Sequence, residues 1–251
     1  MFKHKNLKDI LPLKRLFIKT ELKEKSLVNL STSNTHYISN VLRIREKQKI
    51  SVFNGIQGEW EGIIKSLNKK KGEIIIEKQI EKQEKENLIN LIYTPIKGQR
   101  NYYLIEKITE LGVTNIYPVI SERSVIKKFN YKKAVACSIA ASQQSGRLSV
   151  PKIHEIKDLK KLLNIWNKKD QIIFCDETEE KKLFVDLFKS EREKQINSLL
   201  IGPEGGFSIT EKNFLEKLNY IYGVSLGKRI LRADTAAITA LSLLIGEKYL
   251  K

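Results

Sequence analysis

The feature that most constrains this chain is a regular alternation of strand-like and helix-like runs from residue 88 onward. Residues 88–93 are mostly apolar and end before Pro95 and Gly98, and residues 101–111 then place apolar side chains at helical spacing up to Gly112. Further strands are predicted at 115–120, 171–175, 198–201 and 222–226, and further helices at 132–145, at 179–188 and from residues 210 and 234. Because strands that alternate with helices are joined by crossover connections, the pattern predicts an α/β fold with a parallel sheet covered by helices.

The first third of the chain has a different pattern, with short strands separated by turns. Strands are predicted at 13–18, 49–53, 59–64 and 73–79, with a short helix at 36–42. The pair Asn54-Gly55 indicates a hairpin, since both residues tolerate positive φ. A small β-barrel is the natural interpretation. Residues 81–87 are polar throughout, which predicts a linker between one domain at 1–80 and a second at 88–251.

The charge of the chain indicates a polyanionic partner. There are 46 Lys and Arg residues against 29 Asp and Glu residues, which gives a formal net charge of +17. Such an excess attracts polyanions by long-range electrostatic steering, so nucleic acid is the first partner to consider. The alternative is that a compositionally biased proteome enriches lysine and that the charge is only solvated surface.

The cysteines and histidines indicate neither a disulfide framework nor a metal site. Cys137 and Cys175 form no pair at metal-ligand spacing, which fits a reducing cytosol. His4, His36 and His154 are far apart in sequence and belong to no HxxxH or HExxH pattern, so no metal is predicted. The first residues lack the unbroken apolar core of a signal peptide, and a cytoplasmic protein is expected.

A glycine-rich segment follows the predicted strand at 198–201 and reads Ile-Gly-Pro-Glu-Gly-Gly-Phe-Ser over residues 201–208. Its glycines let backbone amides and carbonyls approach a ligand with no side chain between them. The phosphate-binding patterns GxGxxG and GxxxxGKS are absent, and Pro203 removes one amide donor. The segment therefore predicts a ligand without phosphate that is held by backbone groups, with a plain strand-to-helix turn as the alternative.

A basic segment follows the predicted strand at 222–226 and reads Leu-Gly-Lys-Arg-Ile-Leu-Arg-Ala-Asp-Thr-Ala over residues 226–236. Cations beside a helix N-terminus would stabilise an anionic substrate, such as an RNA phosphate. Asp234 is expected to cap the last helix, and the alternative that it does no more than this stays open. Ligands of parallel sheets bind beyond the carboxyl ends of the strands, which is where both segments are expected.

Together these segments resemble the ribosomal RNA small subunit methyltransferase E family, which methylates N3 of a uridine in small-subunit ribosomal RNA. The family's IGPEGG pattern, with a following Phe-Ser and an acidic residue, is matched at 201–208 and Glu211, and its LGxRILR pattern is matched within 226–236. Further matches follow the family's order at 109–113, 121–124 and 144–147 and, in the first third, at His36, 41–43 and 53–55. Two departures are Asp234 and Gln143, which stand where the family usually has Glu.

The resemblance implies a fold and a set of partners that cover nearly the whole chain. It implies a PUA-like RNA-binding β-barrel followed by a SPOUT-type α/β domain with a C-terminal trefoil knot. Knots are rare exceptions to the rule against threading, so periodicity by itself does not predict one. The resemblance further implies S-adenosylmethionine as the cofactor, 16S ribosomal RNA or the 30S subunit as the substrate, and a homodimer in which each cofactor pocket lies close to the partner subunit.

Methyl transfer from a sulfonium to a ring nitrogen is an in-line displacement, so the enzyme has to align donor and acceptor and exclude water. Uridine N3 carries a proton, so catalysis also needs a base or a site that favours the anion. Glu204 and Asp234 are the candidate bases, and Arg232 is the candidate stabiliser of the developing negative charge; the identity of the base stays open. Cofactor contacts are expected mainly from the backbone, at Ile201, Gly202, Glu204, Gly205, Leu226, Gly227, Ile230 and Leu231.

For RNA, contacts are expected from Arg15, His36, Arg43 and Arg45 in the barrel and from Arg123 and Arg147 in the catalytic domain. An arginine on so basic a surface can also be incidental, and His36 can simply pack its short helix. Two other functions stay open. One is a non-catalytic RNA-binding factor with a degenerate knot, against which the intact glycine segment argues. The other is a SPOUT enzyme with a different target, such as a ribose hydroxyl of transfer RNA.

Overall fold

The computed structural model describes residues 14–68, 71–176, 182–190 and 196–249. These residues divide into two compact units. The first covers the described residues as far as Lys85 together with Ser142–Val150, and the second covers Glu86–Ala141 and the described residues from Pro151 onward. The domain limits predicted from the linker stay a prediction. Within the described residues, no helix combines the length and the apolar character that crossing a membrane requires.

The first unit is built on a five-stranded sheet. Its strands are β1 (Arg15–Phe17), β2 (Leu27–Asn29), β3 (Lys49–Phe53), β4 (Glu59–Leu67) and β5 (Gly72–Glu81), in the spatial order β1-β3-β4-β5-β2. Only β1 and β3 run parallel, and the other pairs are antiparallel. Between β2 and β3 lie a short helix, α1 (Thr32–His36), and a π-helical segment (Tyr37–Leu42).

The strands of the first unit form because their apolar residues alternate along the chain. Ile50, Val52, Ile64 and Ile74 are among the fully buried residues that form its core. The predicted hairpin joins β3 to β4, and the Asn54 side chain closes the turn by accepting hydrogen bonds from two backbone amides that follow it. This hairpin and the strand at Lys49–Phe53 are confirmed, whereas the short strand β2 was not predicted.

The second unit is an eight-stranded sheet covered by helices. Its strands are β6 (Asn90–Tyr93), β7 (Asn115–Ile120), β8 (Lys152–Ile153), β9 (Lys157–Asp158), β10 (Gln171–Cys175), β11 (Lys182–Leu183), β12 (Ile196–Ile201) and β13 (Ile221–Ser225). The order is β11-β13-β10-β12-β6-β7-β8, with β9 beside β7, and every pair is parallel. The helices are α2 (Gln99–Glu110), α3 (Tyr131–Ser145), α4 (Leu159–Asn164), α5 (Phe184–Ser190), α6 (Ile209–Glu216) and α7 (Ala233–Tyr249).

The continuous apolar runs of the central strands are explained by burial on both faces of this sheet. Successive residues point to opposite faces, so Leu199 and Ile201 of β12 join one core and Leu200 joins the other. Residues of α2, α5 and α7 complete the first of these cores, and residues of α4 and α6 complete the second. The predicted parallel sheet covered by helices is therefore confirmed.

Most predicted elements of the second unit occur within one or two residues of their expected limits. The strands at Asn115–Ile120 and Gln171–Cys175 match, and the helix predicted at 132–145 begins one residue earlier. Of the helix predicted at 179–188, residues 179–181 lie outside the described residues, as do His4 and residue 13 of the first predicted strand. Of the rest of that prediction, residues 182 and 183 form the strand β11 instead, and the helix begins at Phe184 and extends over Phe184–Ser190.

Candidate active site

The central strands of the second unit bring four chain segments to one edge of the sheet. In the strand register Tyr93 of β6 pairs with Ile201, Ile201 pairs with Cys175 of β10, and Cys175 pairs with Val224 of β13. The segments that follow these residues therefore emerge side by side at the carboxyl ends of the strands. They enclose a pocket of about 450 Å³, walled by both the glycine-rich and the basic segment.

The glycine-rich segment forms a tight turn over the end of β12. The amide of Gly206 donates to the Pro203 carbonyl at 2.9 Å, and Gly206 has a φ of 66°. At Gly202 a Cβ atom would lie 2.9 Å from the ring of Phe207, a ring that is buried and packs edge-on against Phe174 at 5.4 Å between centroids. Gly202 is thus required by close packing and Gly206 by its backbone conformation.

The far end of the glycine-rich segment is fixed by the start of α6. Ser208 caps this helix and forms a capping box with Glu211, whose side chain accepts from the Ser208 amide at 3.0 Å. Glu211 is buried and also accepts a hydrogen bond from the backbone amide of Glu122, at 2.8 Å. The guanidinium of Arg123 donates to the Gly205 carbonyl at 3.0 Å. The loop that follows β7 therefore contacts the glycine-rich segment at Gly205 and the first turn of α6 at Glu211.

The basic segment forms the opposite wall. Gly227 adopts a φ of 120°, a conformation that favours glycine, and the Ser225 hydroxyl accepts from its amide. Ile230 is 80% exposed although it lines the pocket, and Arg232 is exposed beside it. An exposed aliphatic side chain and an exposed cation at the mouth of a pocket are suited to contact with a ligand.

A cluster of ion pairs joins the two walls. Arg100, in the first turn of α2, donates from Nε and Nη2 to the two carboxylate oxygens of Asp234 at 2.9 and 2.6 Å. Its Nη1 atom donates to Glu204 of the glycine-rich segment at 2.5 Å. The hydrogen bonds from Arg100 lower the pKa of the Asp234 carboxyl below its ordinary value.

Asp234 is not the N-cap that the sequence predicted. The helix α7 begins at Ala233, one residue earlier, and Asp234 lies inside its first turn with its carboxylate directed to Arg100. An acidic side chain in the first turn remains favourable for the helix dipole.

A second ion pair is more buried than the Arg100 cluster. Asp176, which directly follows β10, is buried and its carboxylate accepts from the Lys212 ammonium at 2.9 Å. Both residues line the pocket. The neighbouring Cys175 also lines it, and burial raises the pKa of that thiol to about 12, so the thiol stays protonated at neutral pH.

Most residues predicted to bind the cofactor meet at this pocket. Its lining includes Ile201, Gly202, Glu204, Leu226, Gly227, Ile230 and Leu231. Of the candidate catalytic residues, Arg232 and Glu204 line it, and Asp234 contacts it through Arg100. Gly205 is not a lining residue; its carbonyl accepts from Arg123, and a Cβ atom there would meet no neighbour within 4 Å.

Sequence reasoning missed Arg100, Asp176 and Lys212. The sequence could have indicated Arg100 and Asp176, because charged residues that follow a strand lie where a parallel sheet binds its ligands. Arg100 comes seven residues after a predicted strand, and Asp176 directly follows one. Their strands lie beside β12 at the centre of the sheet, and that neighbour relation is fixed only by the tertiary order of the strands.

The position of Arg15 corrects its predicted role as an RNA contact. Its guanidinium is buried, with Nε and Nη2 donating to the two Glu59 carboxylate oxygens at 2.7 and 3.2 Å. It also donates to the carbonyls of Ser142, Gln143 and Arg147, at 2.8, 3.4 and 3.1 Å. A guanidinium has five N–H donors, and these five hydrogen bonds use all of them inside the first unit. None is left for a phosphate.

The other predicted RNA-binding residues are accessible. His36, Arg43 and Arg45 are exposed and line one cleft of the first unit, and Arg43 ends the π-helical segment in a left-handed conformation with a φ of 53°. Arg123 is exposed. Arg147 is half-buried, and it belongs to the first compact unit rather than to the catalytic domain in which it was expected.

The described part of the chain holds no group of three or more His, Cys, Asp or Glu residues that could bind a metal ion. The expectation of no metal stays a prediction.

Two family models match the chain. An RNA methyltransferase domain covers residues 83–245, and an RNA methyltransferase PUA domain covers residues 30–77. Similar curated proteins carry the name ribosomal RNA small subunit methyltransferase E. The protein from Buchnera aphidicola subsp. Schizaphis graminum is 35% identical over 93% of this chain and 97% of its own. The protein from Rickettsia conorii is 29% identical over 91% of this chain and 93% of its own.

Solved structures agree with these matches. A methyltransferase from Legionella pneumophila in complex with the cofactor SAM has a TM-score of 0.83 at 28% identity, over 94% of this chain and 98% of that one. A ribosomal RNA small subunit methyltransferase E from Neisseria gonorrhoeae bound to S-adenosyl methionine has a TM-score of 0.83 at 26% identity, over 93% and 97%. The α/β fold with a PUA-like domain and a SPOUT-type methyltransferase domain is thereby confirmed.

Proposed function

The chain belongs to the ribosomal RNA small subunit methyltransferase E family of RNA methyltransferases, and from this premise we propose that it methylates N3 of a uridine in 16S ribosomal RNA. It is an S-adenosylmethionine-dependent enzyme. The observation that carries the proposal is that the two segments that resemble the family's signatures line one pocket at the carboxyl ends of the central strands.

The residues of the pocket fit S-adenosylmethionine. Its volume of about 450 Å³ is within the range of roughly 300–1,000 Å³ that is usual for small-molecule sites. Ile201, Leu226 and Leu231 supply apolar surface for a flat base, and the adjoining backbone amides and carbonyls supply hydrogen bonds. Charged groups of both signs line the pocket, with Asp176 paired to Lys212 and Glu204 paired to Arg100, which suits a ligand that carries both positive and negative groups. When bound, S-adenosylmethionine supplies an activated methyl group on a sulfonium.

The catalytic contribution of this chain is mainly alignment and electrostatics. We propose that the glycine-rich and basic segments hold the cofactor and that the base to be methylated enters at the exposed mouth, between Glu204 and Arg232. Arg232 stabilises the negative charge that develops on the uridine when N3 loses its proton. Glu204 and Asp234 are the candidate carboxylates for accepting that proton, and the ion pairs with Arg100 orient both of them.

We propose that RNA binds through His36, Arg43, Arg45, Arg123 and Arg147, with Arg15 removed from the set because its guanidinium is buried and fully paired. Each phosphate contact releases counterions, so the logarithm of affinity should fall linearly with the logarithm of salt concentration. Arg43→Gln should reduce that slope by about one unit. An unchanged slope for this variant would remove Arg43 from the set.

The family also suggests an assembly. We propose a homodimer, supported by the half-exposed apolar residues Ile238, Leu243 and Ile245 on α7, and a trefoil knot in the C-terminal part of the second unit. Light scattering should then give twice the mass of the chain, 29.0 kDa. An experimental chain trace from Ile201 to α7 would test the knot. Because ribosomal RNA is assembled into subunits in the cytoplasm, we propose that location for the enzyme.

The decisive experiment maps modified nucleosides by mass spectrometry in small-subunit RNA from cells with and without the gene. Loss of 3-methyluridine, restored by the unmodified gene, is the expected result. Arg232→Gln should fail to restore it, whereas Lys157→Gln, which removes an exposed cation of β9 outside this pocket, should restore it. Unchanged 3-methyluridine would refute the target, and loss of a ribose methylation from transfer RNA would favour the alternative enzyme.

A further inference from the structure

The Arg100 cluster links three parts of the site that are distant in sequence. Arg100 lies in the first turn of α2, Glu204 in the glycine-rich segment and Asp234 in the first turn of α7. A guanidinium presents its N–H groups as a rigid planar fork, so its position fixes both carboxylates at the same time. The two walls of the pocket are therefore held at a set distance by one side chain.

The hydrogen bonds of Asp234 are already committed. Both carboxylate oxygens accept charge-assisted bonds from Arg100, and Oδ1 also accepts from the Thr235 amide at 3.0 Å. The Asp234 side chain is only 13% exposed. Taking a proton from a substrate would neutralise this carboxylate and break the bidentate pair. Its lowered pKa is a second reason why it would be a weak acceptor for the proton of a weak acid such as uridine.

We propose that Arg100 is a positioning residue that holds the glycine-rich segment and the first turn of α7 in their ligand-binding arrangement, and that Asp234 anchors Arg100 instead of serving as the base. This inference rests on the proposed function, because it assigns roles within the same cofactor site. It removes Asp234 from the two candidate bases and leaves Glu204. Arg232 keeps its proposed role in stabilising the substrate anion.

The test uses the full-length protein and measures S-adenosylmethionine binding by titration calorimetry. Arg100→Met should weaken binding at least tenfold, and Arg100→Lys should recover only part of the loss, because an ammonium is a point charge without the fork geometry. Asp234→Asn should also weaken binding. The double variant Arg100→Met/Asp234→Asn should bind no worse than Arg100→Met alone, since both changes break one cluster.

Lys107→Met is the matched control. Lys107 lies on the same helix, is also paired with two carboxylates, Glu106 and Glu110, and does not line the pocket. This variant should bind the cofactor with unchanged affinity. Circular dichroism of every variant checks that the fold is retained, and Arg100→Lys keeps the test informative if Arg100→Met unfolds.

The role of Asp234 is tested separately by single-turnover methylation at saturating cofactor over a range of pH. Asp234→Asn should keep the pH dependence of the unmodified enzyme. Unchanged cofactor affinity for Arg100→Met would overturn the positioning role. If Asp234→Asn instead binds the cofactor normally but its methylation rate no longer depends on pH, Asp234 is the base. Failure of the unmodified protein to bind S-adenosylmethionine would contradict the proposed function instead. The Arg100–Asp234 coupling would then still be measurable from urea unfolding of the unmodified protein, Arg100→Met, Asp234→Asn and the double variant.

Discussion

Replacing Arg15 by Met should destabilise the first unit far more than the loss of a surface ion pair would. The side chains of Arg15 and Glu59 are only 4% and 12% exposed, and the guanidinium packs over the Phe53 ring at 4.5 Å. Removing one member of a buried ion pair leaves the other charge without compensation, which typically costs about 3–5 kcal/mol. The carbonyls of Ser142 and Gln143 lose their donor as well.

That loss is large compared with a total stability of about 5–15 kcal/mol for a folded domain. Urea unfolding followed by tryptophan fluorescence should detect it, because each unit contains one tryptophan, Trp60 in the first and Trp166 in the second. In a Trp166→Phe background the signal comes from Trp60 alone. Arg15→Met should then shift the unfolding midpoint to markedly lower urea at an unchanged slope.

Two further variants decide whether the buried charge is the cause. Arg15→Met combined with Glu59→Leu should recover part of the stability, because no unpaired charge remains. Lys49→Met is the matched control: Lys49 pairs with Glu61 across the neighbouring strands β3 and β4, but its side chain is 57% exposed, so the cost should be at most about 1 kcal/mol. If Arg15→Met costs no more than Lys49→Met, the reasoning is refuted and an RNA-binding role for Arg15 regains support.

Three other changes test single contacts. Acidification from pH 7 to pH 5 should destabilise the second unit, because burial lowers the pKa of His154 and the unfolded chain therefore binds more protons than the folded one. In urea unfolding, His154→Gln should make the free energy of unfolding depend less on pH. An equally steep pH dependence in this variant would contradict the role of His154. Gly202→Ala should lower the melting temperature and weaken cofactor binding, since its Cβ atom would lie 2.9 Å from the Phe207 ring, and calorimetry showing neither effect would exclude the clash. Glu211→Ala should cost about 1 kcal/mol or more by removing half of the capping box with Ser208, and a thermal melt identical to the unmodified protein would show that the box is dispensable.

Much of the fold and of the pocket could be predicted from local sequence. The strand at Gln171–Cys175 is an apolar run bounded by polar residues, and the hairpin at Asn54 is specified by residues that tolerate its turn, so both were found without any knowledge of their neighbours. The glycine-rich segment was identified because a plain turn after a strand rarely needs several glycines. Those features depend on contacts between residues close together in the chain.

The errors and omissions concern contacts between distant residues. Arg15 was predicted to be a surface cation because nothing in its local sequence shows that Glu59 and the carbonyl of Ser142, 127 residues away, enclose it. Asp234 was predicted to be a helix cap because its local sequence does not show its partner Arg100, which is 134 residues away. Asp176 was missed because the order of β10 beside β12 and β13 is not visible in sequence.

The sequence by itself therefore determined the strand–helix alternation, the two ligand-facing segments and the family. Periodicity, glycine content and ordered motifs are written in neighbouring residues, and each is specified before the chain folds. The tertiary structure alone decided which charges are structural and which face the solvent. A guanidinium becomes a buried clamp, as in Arg15, or joins two pocket walls, as in Arg100, only when folding brings carboxylates and carbonyls from distant segments within hydrogen-bonding distance.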